Sequence, residues 1–282
     1  MPLVTSTEIL KKAQAGGYAV GAFNVENMEM AIAIISAAEE LKSPVILQTT
    51  PSTVRYAGLD LYVANVTALA KKASVPVVMH LDHGSSFELA AQALRAGYTS
   101  IMIDGSKLPL DENIAVTKKV VDMCKAAGVP VEGELGQVGG KEDDTECENA
   151  GYTIPSEAIV FEKETSVTSL AVGVGTAHGF YAEEPVLNKE LITQLKGMLD
   201  VPMVLHGASG VPEEDVKDCI SRGICKVNYA TELRVAYSTG VKAAIAENPS
   251  VFDPKVYGKA GIEKVKELVK NRIMICGCNG KM

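Results

Sequence analysis

Short apolar runs rich in valine and isoleucine alternate along this chain with amphipathic stretches of about ten to fifteen residues, the pattern of repeated βα units around a parallel sheet. Eight such runs stand at residues 18–23, 44–48, 75–79, 99–103, 129–132, 168–173, 201–205 and 225–227. Helical periodicity fills the intervals at 28–41, 61–73, 87–96, 112–127, 156–164, 189–199, 212–221 and 232–247, and a last helix spans about 261–272. Four runs carry a proline at or next to their start, at Pro44, Pro76, Pro130 and Pro202, where no ladder donor is needed. Asp111 and Ser156 are N-cap types, Pro212 suits a first helical turn, and Gly97, Gly128 and Gly223 follow helices as C-cap residues do. The alternation predicts one α/β domain over residues 1–282, a (β/α)8 TIM barrel with a C-terminal helical extension. Segment 136–155 is charged, glycine-rich and without period, so it is expected to form a functional loop or lid.

Composition narrows the function. Hydrophobic residues make up 47% of the 282, but the longest apolar stretches, such as 169–174, fall far short of the roughly 20 residues that cross a bilayer. Residues 1–11 lack a basic head followed by an apolar run, so a cytoplasmic location is expected and no membrane partner. The net charge is −8 and the basic residues are scattered, which argues against a nucleic-acid groove and for a small substrate. The six cysteines are spread out and read as reduced structural thiols. Cys276 and Cys278 form the closest pair, in what reads as a frayed tail.

In a barrel the catalytic groups stand at the C-terminal ends of the strands. The residues following the eight runs are all polar: Asn24, Thr50, Asp82 with His83, Asp104, Glu134, His178, His206, and Asn228 with Thr231. Asn24 and Thr50 are expected to face substrate. Of the four histidines, His83, His178 and His206 fall just past the third, sixth and seventh runs. Three imidazoles with an open fourth position make a catalytic zinc arrangement, whereas a structural site is closed by a fourth protein ligand. Gly179 and Gly207 directly follow two of them and let a ligand approach the backbone. His80, two residues before Asp82 and on the same strand face, is expected to support the site from below. Asp82 beside His83 can move a proton at a hydroxyl that the metal organises, or it can merely orient an imidazole.

The loops after the seventh and eighth runs are the usual phosphate site of such barrels. Here they read His206-Gly207-Ala208-Ser209-Gly210-Val211-Pro212 and Asn228-Tyr229-Ala230-Thr231, with small residues, a hydroxyl and a helix start that favour an anion. A Schiff-base aldolase would need a lysine in the mouth, and Lys226 is the candidate. A zinc hydrolase barrel would carry an H-x-H pair at the first strand, where this chain has Asn24. A non-catalytic phosphosugar-binding barrel would be expected to have lost Asp82 or a metal histidine, and none is lost.

These segments together resemble the class II, metal-dependent ketose-bisphosphate aldolases, and the similarity runs over essentially the whole chain. His80-Leu81-Asp82-His83-Gly84-Ser85-Ser86 is similar to the family's first signature. Gly133-Glu134-Leu135-Gly136 through Gly139-Gly140-Lys141-Glu142-Asp143 is similar to its second, and Gly175 to Gly179, His206 to Ser209 and Lys226 to Asn228 complete the set. The resemblance implies Zn2+, one ion per subunit, on His83, His178 and His206, with Glu134 as an alternate ligand; it also allows a monovalent cation. It implies that Asp82 transfers the C4 hydroxyl proton and that Glu142 is the acid/base at the dihydroxyacetone phosphate carbon. Gly179, Gly207, Ala208, Ser209, Asn228, Tyr229, Ala230 and Thr231 would hold the triose phosphate. Fructose-type members often have an acid where Ala230 stands and a neighbouring subunit's arginine where Lys255 stands. Gly175-Thr176-Ala177-His178-Gly179 and Asn228-Tyr229-Ala230-Thr231-Glu232-Leu233 resemble the tagatose 1,6-bisphosphate type, and the two departures would loosen the distal-phosphate anchor, so tagatose 1,6-bisphosphate is the expected substrate and fructose 1,6-bisphosphate the alternative. It further implies a homo-oligomer, dimer or tetramer, and in some tagatose-type relatives a companion subunit.

Overall fold

The computed structural model describes residues 3–142, 145–147, 151–181 and 183–282, with backbone alone at 141–142 and 145–147. An unanticipated helix, α1 (Ser6–Gly16), precedes strand β1 (Val20–Asn24). The chain then runs α2 (Met28–Glu40), β2 (Val45–Thr49), α3 (Pro51–Ala57), α4 (Leu59–Ala70), β3 (Val77–Gly84), α5 (Phe87–Ala96), β4 (Ser100–Ile103), α6 (Leu110–Ala126) and β5 (Val131–Leu135). Two short strands follow, β6 (Gly139–Glu142) and β7 (Thr145–Cys147), before α7 (Pro155–Thr165) and β8 (Ser169–Val172). The remainder is β9 (Ala177–His178), α8 (Lys189–Lys196), β10 (Met203–Leu205), α9 (Glu213–Ser221), β11 (Ile224–Tyr229), α10 (Thr231–Glu247) and α11 (Pro254–Cys276).

Eight strands close into a barrel in the order β1-β11-β10-β8-β5-β4-β3-β2, every neighbouring pair parallel. This is the expected (β/α)8 TIM barrel with C-terminal helices. The strands are buried along both faces, as parallel strands between a core and a helical layer must be. Strands β2, β3, β5 and β10 each begin at the residue after the proline that marked them. The proline lacks an N–H but keeps its carbonyl, so Pro76, Pro130 and Pro202 accept ladder bonds from Val45, Ile101 and Leu170 at 3.0–3.1 Å.

Several local expectations need correction. Asp111 and Ser156 lie inside their helices' first turns, and the capping positions are Pro109 and Ile154. Pro155 has φ already set for a helix and no N–H to leave unpaired, so it opens α7 at the first helical position and Ser156 falls inside the first turn. Pro212 is itself the capping position of α9. Segment 136–155 is not featureless: β6 and β7 form an antiparallel hairpin, and β6 also pairs in parallel with β9, Gly140 opposite His178. The C-terminal tail is not frayed. Cys276 ends α11, and both Cys276 and Cys278 are fully buried.

Helix α11 starts seven residues before the expected position, where the Asp253 side chain accepts from the Lys255 N–H and Pro254 suits the first turn. A Cβ on Gly240 would run into the Ala260 carbonyl, and one on Gly261 into the Tyr237 ring, so α10 and α11 cross in close contact. Gly240→Ala is expected to lower stability by roughly 1–3 kcal/mol by overpacking this crossing, measured by denaturant unfolding. Among the described residues, no helix is long and apolar enough to cross a membrane.

Candidate metal centre and active site

Strand β3 delivers both Asp82 and His83 to the barrel mouth, although neighbours on a regular strand point to opposite faces. A register shift against β4 between Leu81 and Gly84, with His83 in the left-handed region at φ 48°, lets the two side chains border one cavity. A bulge of this kind re-aims a side chain at a local conformational cost. His178 comes from β9, held beside Gly140 of the hairpin, and His206 directly follows β10.

The three imidazoles converge, with ligand-capable atoms of His83, His178 and His206 within 4.8 Å of one another. His83 Nε2 lies 3.0 Å from His206 Nδ1. The opposite nitrogens are both engaged by carboxylates: His83 Nδ1 with Asp104 Oδ2 at 2.9 Å, and His206 Nε2 with Glu132 Oε1 at 3.0 Å. When both outer nitrogens donate, two lone pairs face each other across 3.0 Å, an arrangement that requires a cation between them. Burial opposes charge on all three rings. Against it, Asp82, Asp104 and Glu134 hold His83 well above the usual histidine value, while burial and the neighbouring imidazoles push His178 and His206 down. Glu134 is also buried, with Oε2 3.6 Å from His206 Nδ1 and without a hydrogen-bond partner. Burial, then the Asp104 charge, pushes its carboxyl well above the usual range. Three imidazoles and one orphaned carboxylate oxygen form a donor set suited to zinc.

Asp82 is placed differently. Its Oδ2 accepts from Gln48 Nε2 at 3.0 Å and Asn24 Nδ2 at 3.4 Å, and its Oδ1 from Asn228 Nδ2 at 3.1 Å. Burial alone would raise its carboxyl, but the charges of His83, His206 and Lys226 hold it below the usual carboxylate range. It is an ionised acceptor at the cavity wall, with His83 Nε2 4.0 Å away.

Asn24, Asp82, His83, His178, Gly179, Gly207, Ser209, Asn228, Ala230 and Thr231 border one cavity, so most sequence-derived candidates do meet. The two proposed phosphate loops are joined, since the Ala230 N–H donates to Ser209 Oγ at 3.1 Å. Gly207 sits at φ 66°, and a Cβ there would strike Ala177, so the close approach needs glycine.

Other candidates lie elsewhere. Thr50 is buried at the start of α3, its hydroxyl 3.1 Å from that of Thr53. Tyr229 faces outward, because Lys226 and Asn228 occupy the interior face of β11 and alternation sends their neighbour the other way. Its ring stacks on Phe23 with centroids 5.7 Å apart, and its hydroxyl reaches Cys276 Sγ at 3.7 Å. Ala208 is buried and its neighbours Gly207 and Ser209 face the cavity. Lys255 is exposed and pairs with Asp253 of its own chain at 2.8 Å. The backbone of Glu142 belongs to β6, two residues past the Gly140–His178 pairing, and its side chain lies outside the described residues.

His80 lies beneath the cavity, Nδ1 bonded to Ser100 at 2.8 Å, with burial and then the Lys226 ammonium pushing its pKa down to about 3. Lys226 is buried and spans both Glu132 oxygens at 3.0 Å, so it is an ion-pair partner and not the free amine that Schiff-base chemistry needs.

Sequence reasoning named Asp104 without a role and missed Glu132, Gln48 and Tyr181. Glu132 stands two residues before Glu134 and so on the same strand face, a signal that was there to read. Tyr181 had no such signal: its hydroxyl accepts from the Ala177 N–H at 2.7 Å and donates to the Gly207 carbonyl at 2.8 Å, tying two mouth loops together.

Known proteins share this fold. The solved YdjI aldolase from Escherichia coli K12 is 36% identical, with 99% of each chain covered and a TM-score of 0.88. A putative fructose-1,6-bisphosphate aldolase from Coccidioides immitis is 29% identical over 97% of this chain and 96% of that one, with a TM-score of 0.89. The fructose-bisphosphate aldolase of Campylobacter jejuni, at 24% identity over 100% and 97% of the two chains, shares the fold with a TM-score of 0.84. The family model described as fructose-bisphosphate aldolase class-II matches residues 4–281. The chain belongs to the class II fructose-bisphosphate aldolase family, lyases that are generally zinc-dependent.

Proposed function

We propose that this aldolase reversibly cleaves a ketose 1,6-bisphosphate into dihydroxyacetone phosphate and glyceraldehyde 3-phosphate, with tagatose 1,6-bisphosphate favoured over its C4 epimer. The observation that carries the reaction is the convergence of His83, His178 and His206 beside an ionised Asp82 on one cavity. Zinc held by these imidazoles would supply a Lewis acid for the negative charge that develops on the carbonyl half as the C3–C4 bond breaks. Asp82 accepts the C4 hydroxyl proton, its orientation fixed by the amides of Asn24, Gln48 and Asn228. Ser209, Gly179 and the N-terminus of α10 at Thr231 hold the triose phosphate, where backbone N–H groups and the helix dipole favour an anion. Glu142 returns a proton to the dihydroxyacetone phosphate carbon from the β6–β7 hairpin, and Glu134 would be an alternate ligand for the ion. The protein acts in the cytoplasm as a homo-oligomer.

The sugar preference rests on Ala230, a small residue on the cavity wall where fructose-type relatives often carry an acid. The two sugars differ only in the direction of the C4 hydroxyl that Asp82 must deprotonate, so discrimination depends on how firmly the distal phosphate is anchored. One altered polar contact is worth about 1–3 kcal/mol, which corresponds to a preference of roughly tens-fold with activity on both epimers. The name of the Coccidioides relative favours fructose bisphosphate as the second reading. Comparing kcat/KM on the two pure epimers decides it: a clear preference for fructose 1,6-bisphosphate rejects the tagatose assignment.

A further inference from the structure

Below the cavity, inside the barrel, lies an ion pair that the reaction just described leaves idle. Lys226 of β11 and Glu132 of β5 are 1% and 2% exposed. Withdrawing two charges from water is costly, and replacing such a pair by neutral groups of similar shape is often harmless or stabilising. Fold stability is therefore a poor reason for its presence, and its geometry suggests another.

The Glu132 carboxylate is pinned from three neighbouring strands or their ends. Lys226 Nζ holds both oxygens at 3.0 Å, the Ser169 hydroxyl of β8 donates to Oε2 at 3.3 Å, and Oε1 accepts from His206 Nε2 at 3.0 Å. Lys226 is held in turn: its ammonium reaches His80 Nε2 at 3.5 Å, His80 Nδ1 bonds Ser100 at 2.8 Å, and Ser100 meets Ser6 of α1 at 3.0 Å. A line of hydrogen bonds thus runs from the floor of the barrel to one imidazole. At its upper end, His206 must donate through Nε2, which leaves Nδ1 as the nitrogen aimed at His83 and Glu134.

We propose that Lys226 is a positioning residue for the metal centre: by clamping both oxygens of Glu132 it fixes the ring orientation and tautomer of His206, and so sets the affinity with which the three imidazoles hold a metal ion. This rests on His206 being a metal ligand. A carboxylate behind a ligating histidine is worth about 10–100-fold in metal affinity, and the assignment here extends that dependence one residue further down, to the lysine.

The test compares the full-length protein with Lys226→Met and with the double variant Lys226→Met/Glu132→Gln, which carries no buried charge at this position. Zinc affinity is measured by competition with a chromophoric chelator, coordination by the visible absorption of the cobalt(II)-loaded protein, and folding by thermal unfolding of the metal-free protein. The double variant is expected to fold with an undiminished melting temperature, to bind zinc about 10–100-fold more weakly, and to show altered cobalt bands. Lys226→Met should move affinity and bands in the same direction. Folded variants with unchanged zinc affinity and unchanged cobalt bands would overturn the proposal. A lowered melting temperature with unchanged coordination would do the same, since it would make the pair structural only. Failure of the unaltered protein to bind zinc would instead overturn the ligand role of His206, and the inference with it.

Discussion

His83→Ala, His178→Ala and His206→Ala are each expected to lose tight zinc binding and, with it, lyase activity. The side chains meet within 4.8 Å, so removing one leaves two imidazoles and solvent, a weak site for zinc. A Lewis acid at a developing charge is worth several kcal/mol, and each 1.36 kcal/mol is tenfold in rate, so kcat/KM should fall by about 1,000-fold or more. The loss should be local. His178 stands on a two-residue strand at the mouth, away from the packed interior, and His178→Ala should leave thermal unfolding of the metal-free protein nearly unchanged. Any one variant with full activity and full zinc content would remove that residue from the ligand set.

Asp82→Asn should separate proton transfer from metal binding. Zinc content is expected to persist, because Asp82 lies 4.0 Å from His83 Nε2 and its oxygens are taken up by Gln48, Asn24 and Asn228. Cleavage should fall by about 100- to 10,000-fold, the usual contribution of a positioned general base. Dihydroxyacetone phosphate should still bind, and exchange of its carbon-bound proton should continue, since that step is assigned to Glu142. Loss of zinc from Asp82→Asn would show that the carboxylate orients the imidazoles and is not the base.

The architecture was legible because the barrel's constraints are written locally. Prolines at 44, 76, 130 and 202 stand just before the ladder donors begin, and the valine-rich runs after them must be apolar on both faces. The three histidines were legible because strand ends are where a barrel exposes polar side chains. What escaped depends on contacts distant in sequence. The β6–β7 hairpin has no hydrophobic period, and β6 gains order by pairing with β9 some forty residues on. The start of α11 was obscured by Gly258 and Gly261, poor helix formers, and at Gly261 the missing side chain lets Tyr237 of α10 approach. Tyr229 follows Asn228 on β11, so strand alternation turns its side chain away from the cavity. The bulge that brings His83 beside Asp82 follows from pairing with β4, which no local spacing reveals.

Metal-dependent carbon–carbon cleavage on His83, His178 and His206 is the reaction proposed for this chain. Its most direct test is to purify the protein, determine bound zinc, and follow triose phosphate release from a ketose 1,6-bisphosphate before chelation, after it, and after zinc is restored. The predicted result is about one zinc per chain, release that stops on chelation, and recovery on adding zinc. Undiminished release by metal-free protein, or no release by fully zinc-loaded protein on either epimer, would contradict it.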